Sequence, residues 1–227
     1  MATNQLSFES VTLPATSRYD QPIREISFTL ADGEALLLEW RDEQGWPTLA
    51  DAAMGLLNPA AGRVQFAGRA WEEWAPDDAA TLRSRIGRVF VDHAWISNLD
   101  VDENITLAQR HYGADPATIY AKALEVAARF GRAELPVSRP AWISRRDAEI
   151  CQWIRALLAE PRLLILEEPT RDVSDDECEQ LVAAVALERE KGASVLWISD
   201  DPRLQNNPSL NVQVRAKVKG DQWESCA

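Results

Sequence analysis

Cysteine is scarce in this chain. Its three cysteines, Cys151, Cys178 and Cys226, show neither CxxC spacing nor an even count, which argues against a disulfide framework and against a cysteine-ligated zinc site. The first two fall on helical patterns and the third on the tail. Histidine is rarer still: His93 and His111 have no acid or cysteine at metal-ligand spacing and read as surface residues. No apolar run reaches the ~18 residues of a membrane span, and the start, MATNQLSFES, lacks the basic-then-apolar order of a secretory signal. The expectation is a cytoplasmic chain that does not itself insert into a membrane. Basic residues are the minority, 24 Lys and Arg against 36 Asp and Glu, for a net charge of -12. Binding to a nucleic-acid backbone depends on clustered Lys and Arg, so nucleic acid is excluded as a partner. The same acidity opposes independent docking to an anionic membrane surface. If this protein sits at a membrane, another protein holds it there.

What is present is enough for a sizeable core: 227 residues, 46% of them hydrophobic, in one large domain. LSFESVTL (6–13) and IREISFTL (23–30) alternate apolar and polar residues as half-buried strands, predicting an antiparallel pair. EALLLEW and GRVQFAG read as strands bracketing a helix from about Pro47 to Leu57. DDAATLRSR reads as a short helix and IGRVFV as another strand. From Asp100 to Gly131 the pattern is helical, with Pro116 in a first turn after Asp115 and apolar residues at Ile119, Ala123, Val126, Ala127 and Phe130. SRRDAEICQWIRALLAEP predicts a helix opened by a capping box of Ser144 and Asp147, with Ile150, Ile154, Leu157 and Leu158 on one face. The strand RLLILEEP, a helix capped by Ser174 and Glu177, and the strand ASVLWISD complete parallel βαβ units.

One turn is out of character with its surroundings. In EWRDEQGWPTLADAAMGLL (39–57) an apolar strand runs into a turn and then a helix, the setting in which backbone NH groups cradle phosphate. The turn itself carries acidic residues, tryptophans and the single glycine Gly45.

The order of segments resembles an ATP-binding cassette subunit of the kind that drives membrane transporters, over roughly residues 5 to 205. ISFTLADGEALLL is similar to the family's strand before the phosphate loop, and MGLLNPAAGRVQFAGR to the segment after it. LRSRIGRVFVDHAWISNLDVDENI resembles the glutamine-loop stretch, RPAWISRRDAEICQWIRALLAEPRLLILEEPT the signature helix and metal-site strand, and VLWISDDP the switch-histidine strand. The resemblance implies a phosphate-loop NTPase α/β fold with a parallel core sheet. A small N-terminal antiparallel subdomain and an inserted helical subdomain at about 92–148 complete the single cassette.

Departures from the family pattern fall on the chemistry. With Thr48 as the last residue of GxxGxGK(S/T)T, Trp40 and Glu43 stand in glycine positions, Gly45 is kept, Trp46 replaces the lysine and Pro47 the magnesium-binding hydroxyl. Glycines turn NH groups toward phosphate, lysine neutralises it, and proline removes an NH. Trp40, Trp46 and Pro47 are expected to fill nucleotide space. Val91 stands for the glutamine, Ser144, Arg145 and Arg146 for part of the signature, and Asp200 for the switch histidine. Glu167 takes the metal-carboxylate position and Glu168 the general-base position. Each has a bland reading beside it: Glu168 as a structural or solvated carboxylate, Arg145 and Arg146 as a solvated helix start or salt-bridge partners. Tyr19 is near the position of the aromatic that stacks on adenine.

Three functional classes follow from the resemblance. The first is a catalytically degenerate subunit that needs neither ATP nor magnesium. It pairs with an active cassette or its own copy and docks on a permease at the inner face of the plasma membrane through Trp95, Ile96 and Leu99. Those three would otherwise pack inside the helical subdomain. The second is an unusual ATPase using Glu167 and Glu168 with ATP and magnesium. The third is a soluble scaffold that keeps only the fold.

Overall fold

The computed structural model describes residues 4–17, 19–40, 45–46 and 48–226. In chain order the elements are β1 (Asn4–Leu13), β2 (Ile23–Ala31), β3 (Ala35–Glu39), α1 (Leu49–Ala53), β4 (Ala61–Phe66), β5 (Arg69–Ala70), α2 (Pro76–Arg83) and β6 (Ile86–Val89). There follow α3 (Val101–His111), α4 (Pro116–Ala128), α5 (Arg145–Leu158), β7 (Leu163–Glu167), α6 (Asp175–Glu190), β8 (Ser194–Ile198), α7 (Pro202–Gln205), β9 (Val214–Lys219) and β10 (Gln222–Cys226). The strands form one sheet in the order β5-β4-β1-β2-β10-β9-β3-β8-β7-β6.

The apolar runs ALLLE, LLILE and SVLWI become β3, β7 and β8, buried along nearly their whole length. Successive side chains point to opposite faces of a strand, and the two cores follow that alternation. Leu37, Leu164, Leu166, Val195 and Trp197 pack with residues of α3 to α6, while Leu36, Leu38, Leu163, Ile165, Leu196 and Ile198 pack with β1, β2, β4 and α1. Burial on both faces is what a covered parallel sheet requires, and β6, β7, β8, β3 and β9 are parallel neighbours. β7 lies between β6 and β8, buried as expected for Leu163 to Leu166. The N-terminal strands are antiparallel, β1 pairing with both β2 and β4.

Helix starts follow the sequence signals, with one difference. Ser174 and Glu177 close a full capping box on α6, and Asp115 caps α4 ahead of Pro116. At α5 only half of the expected box forms: Ser144 accepts from the Asp147 NH, but nothing reaches back. Aspartate is one methylene shorter than the Glu or Gln the motif uses, and the Asp147 carboxylate instead accepts from the Ser144 hydroxyl and pairs with Arg132. α5 also buries more than one face, taking in Glu149, Gln152 and Trp153 beside the expected apolar residues.

The C-terminal segment is a strand hairpin, not a tail. Lys219 pairs with Gln222 across Gly220 and Asp221, and Gly220 has φ +64°, the backbone that favours glycine first in a two-residue hairpin turn. β9 then runs parallel beside β3, and Cys226 belongs to β10.

The close contact between β6 and α5, which sets the stretch after β6 beside α5, depends on Gly87. A Cβ on Gly87 would run into the Ala156 carbonyl oxygen. Gly87→Ala is expected to lower stability by about 1–3 kcal/mol through overpacking, read as a fall in melting temperature of about 2–12 °C. An unchanged melting temperature would refute the close approach.

Candidate functional site

The ends of β3, β6, β7 and β8 gather where parallel α/β sheets place ligands, outside the carboxyl ends of their strands. From the β3 end comes the turn singled out in the sequence; Glu43 and Pro47 lie outside the described residues. Trp46 is 6% exposed, and its indole NH donates to Glu167 Oε1 at the end of β7, at 2.5 Å. Arg88 on β6 grips the same carboxylate with two bonds, Nε to Oε2 at 2.7 Å and Nη2 to Oε1 at 3.1 Å. Its third nitrogen donates to Asp51 on α1 at 2.6 Å. The guanidinium and the Glu167 side chain are almost fully buried. Burial alone would lower the Arg88 pKa, but the Glu167 and Asp51 carboxylates outweigh it and hold its pKa above the ordinary value. Both oxygens of Glu167 are therefore taken by protein donors.

The reading of the sequence missed Arg88. The signal was there, since a charged residue within a strand buried on both faces requires a buried partner.

Trp40 is buried as well, donating from its indole NH to the Gly45 carbonyl at 3.0 Å and meeting Tyr19 edge-on at 5.1 Å. Tyr19 forms a backbone bridge to Gly45 and is 2% exposed, so its ring is used inside the turn and is not an exposed stacking surface. Thr48 caps the short α1 with its hydroxyl buried and unpaired among the described residues.

Glu168 follows β7 with φ +44°. Ser199 Oγ and the Asp200 NH donate to its two oxygens at 3.0 and 3.2 Å. Burial pushes its pKa up to about 7, aided by the Asp200 charge and opposed by those two bonds. Asp200 is itself exposed, and Val91 is half-buried against the core that contains Trp46. Beyond Glu168, Thr170 donates to Asp201, and Arg203 binds Asp201 together with the Thr170 and Val173 carbonyls.

The stretch after β6 is fastened to α5 and α3. The Gln152 amide pairs with both the NH and the carbonyl of Phe90. Arg155 donates to the His93 and Ala94 carbonyls and lies 4.4 Å over the Trp95 ring. Asn104 accepts from the Ile96 NH and donates to the Ile96 and Leu99 carbonyls. Desolvation lowers the Arg155 pKa to about 10. Trp95 is thus partly buried against the helical core, Leu99 is half-buried, and Ile96 is the exposed one, at 43%. His93 corrects the sequence expectation: it is no surface residue but sits half-buried, 3.2 Å from the buried Glu149. His111 is exposed, as read. In the signature-like segment Arg145 is exposed, whereas Arg146 is held in a two-bond pair by Glu177, matching the salt-bridge reading.

Glu168 gives this site a pH signature. Its carboxyl holds a proton more tightly folded, near pH 7, than unfolded, near 4.5. The stability from protonation is complete below the unfolded value and disappears as pH rises through the folded one. Between pH 4.5 and 8 the parent chain should lose roughly 2–3 kcal/mol relative to Glu168→Gln, measured by urea unfolding. Parallel pH curves for the two proteins would contradict the shift.

Residues 23–171 match the family model described as ABC transporter. The chain is 31% identical over 182 residues to the ribose import ATP-binding protein RbsA 2 of Streptomyces avermitilis, covering 78% of this chain and 35% of that relative. It therefore spans about a third of that relative's length. It is also 31% identical over 176 residues to the lipoprotein-releasing system ATP-binding protein LolD of Maricaulis maris, covering 77% of each. Among solved structures, the dimeric cassette MJ0796 superposes with a TM-score of 0.81 at 18% identity, covering 97% of this chain and 98% of that one. Its post-hydrolysis form bound to ADP and Pi gives 0.80 with the same coverage. A matched family model over the greater part of the sequence, together with relatives above 30% identity, makes this chain a member of the ABC transporter family, as an ATP-binding cassette domain.

Proposed function

We propose that this cassette has its nucleotide pocket closed by its own side chains and serves a membrane transporter as a structural and regulatory subunit. The observation that carries the reading is the capture of Glu167 by Trp46 and Arg88. By alignment on the phosphate-binding pattern, Trp46 stands in the lysine position and Glu167 in the metal-carboxylate position. A magnesium ion at Glu167 would have to displace a buried two-bond ion pair, and leaving such a pair broken costs about 3–5 kcal/mol. Trp46 offers one neutral hydrogen bond where a triphosphate needs positive charge. Asp200 adds a negative charge at the switch position, and like charges ~4 Å apart repel by about 4 kcal/mol at an effective dielectric near 20. ATP and magnesium are not cofactors in this reading.

Its partners are a membrane permease and a second cassette, active or identical to itself. The relatives named for ribose import and for lipoprotein release point to the same setting. Among the described residues no helix is long and apolar enough to cross a membrane, so in this reading the permease holds the chain at the inner face. The docking segment is the one fixed by Gln152, Arg155 and Asn104. Ile96 is its outward apolar contact, and Trp95 and Leu99 form the partly covered base beneath. Arg145 would face the partner cassette, while Arg146 is already engaged by Glu177.

A second reading, an atypical ATPase, draws on Glu168, whose pKa near 7 suits a general base at neutral pH. Magnesium and ATP separate the two. A chain that binds nucleotide should melt about 5–10 °C higher at one hundred times its Kd, whereas no rise is expected here. Steady ATP hydrolysis abolished by Glu168→Gln would replace the first reading with the second.

A further inference from the structure

We propose that His93, Glu149 and Asp172 form a site for a divalent transition-metal cation of the zinc type, apart from the Trp46–Glu167 network. The three residues come from three segments: the stretch after β6, the first half of α5, and the loop after β7. One donor atom from each lies within 4.8 Å of the others, and His93 Nε2 is 3.2 Å from Glu149 Oε2.

The buried carboxylate is what points to a ligand. Glu149 is 3% exposed, and among the described residues neither its Oε1 nor His93 Nε2 makes an aligned hydrogen bond, although the His93 imidazole and the Trp153 indole lie near enough to oppose the rise that burial gives its pKa. A buried carboxylate left partly unpaired is costly. A simple histidine–glutamate ion pair would leave Asp172, drawn into the same cluster, without a role. A cation between the three groups engages all of them.

The donor set selects the ion. One imidazole and two carboxylates suit zinc, and the imidazole disfavours calcium and magnesium. Ligand atoms about 2.0–2.2 Å from zinc lie about 3.4 Å apart in a tetrahedron, so binding draws the donors together by up to about 1.4 Å. The half-buried His93 and Asp172 have room to make that movement. Arg155 fixes the backbone that carries His93 through its carbonyl. The bound ion would clip the stretch after β6 to the loop after β7 across α5, giving the docking segment a metal-dependent anchor.

Zinc titration by calorimetry and by melting temperature tests the site, in a background with the exposed Cys226 and His111 replaced by Cys226→Ser and His111→Gln. Saturable binding near one zinc per chain is expected, with a rise of about 5–10 °C at one hundred times Kd. His93→Ala and Asp172→Asn should each weaken binding at least about tenfold, since removing even an outer-shell partner costs that much. If His93→Ala does not fold, Asp172→Asn, on a half-exposed loop, decides alone. The site is overturned if zinc fails to bind saturably up to millimolar concentration, or if a folded variant keeps undiminished affinity.

Discussion

The buried ion pair between Arg88 and Glu167 is the interaction on which the rest of the site depends. Two neighbouring strands, β6 and β7, carry a guanidinium and a carboxylate near their carboxyl ends, inside the protein. Such charges are tolerated there only as partners. Once they face each other, the remaining donor of Arg88 draws in Asp51 and with it α1, and the free lone pair of Glu167 draws in the Trp46 indole and with it the turn after β3. Trp46, in the lysine position of the phosphate-binding pattern, is thereby held against the end of β7. A hydrophobic replacement of similar volume would pack as well; what the pair adds is a set of bonds that joins β6, β7, α1 and Trp46.

Around this centre each strand end is tied to the next by a side chain. Glu168 accepts from Ser199 and the Asp200 NH, Arg203 joins the loop after β7 to the start of α7, and Gln152 holds the end of β6 through the Phe90 backbone. These bonds join loops whose charged residues, left alone, would repel one another in an acidic chain. The same α5 that carries Gln152 carries Glu149 and Arg155, so one helix sets the shape of the proposed docking segment and of the proposed metal site.

The sheet and its helices were legible because their signals are local. LLILE and SVLWI are apolar on both faces, Ser174 and Glu177 sit at capping spacing, and the order of segments matches a known family. Less was legible where partners are distant in sequence. His93 and Glu149 meet only because β6 and α5 pack through Gly87, which no spacing rule encodes. Arg88 and Glu167 meet only through strand register. On α5 the apolar period marks only the face of Ile150, Ile154, Leu157 and Leu158, whereas the polar Glu149 and Gln152 are buried as well, turned to His93 and Phe90 of the stretch after β6. The hairpin of β9 and β10 was visible in the alternation VQVRAKVK and the glycine that follows, but the family resemblance ended before it. At the turn, Trp40 and Trp46 are buried, Gly45 accepts from the Trp40 indole, and Tyr19 belongs to the same packing.

The central claim is that Trp46 and Arg88 occupy Glu167 in place of a metal-bound nucleotide. A crystal structure of the chain grown with millimolar ATP and magnesium tests it most directly. The account predicts an indole NH still bonded to Glu167, Arg88 still paired with it, and no nucleotide beside the turn after β3. A triphosphate in that place, with Trp46 swung away and magnesium on Glu167, would contradict it.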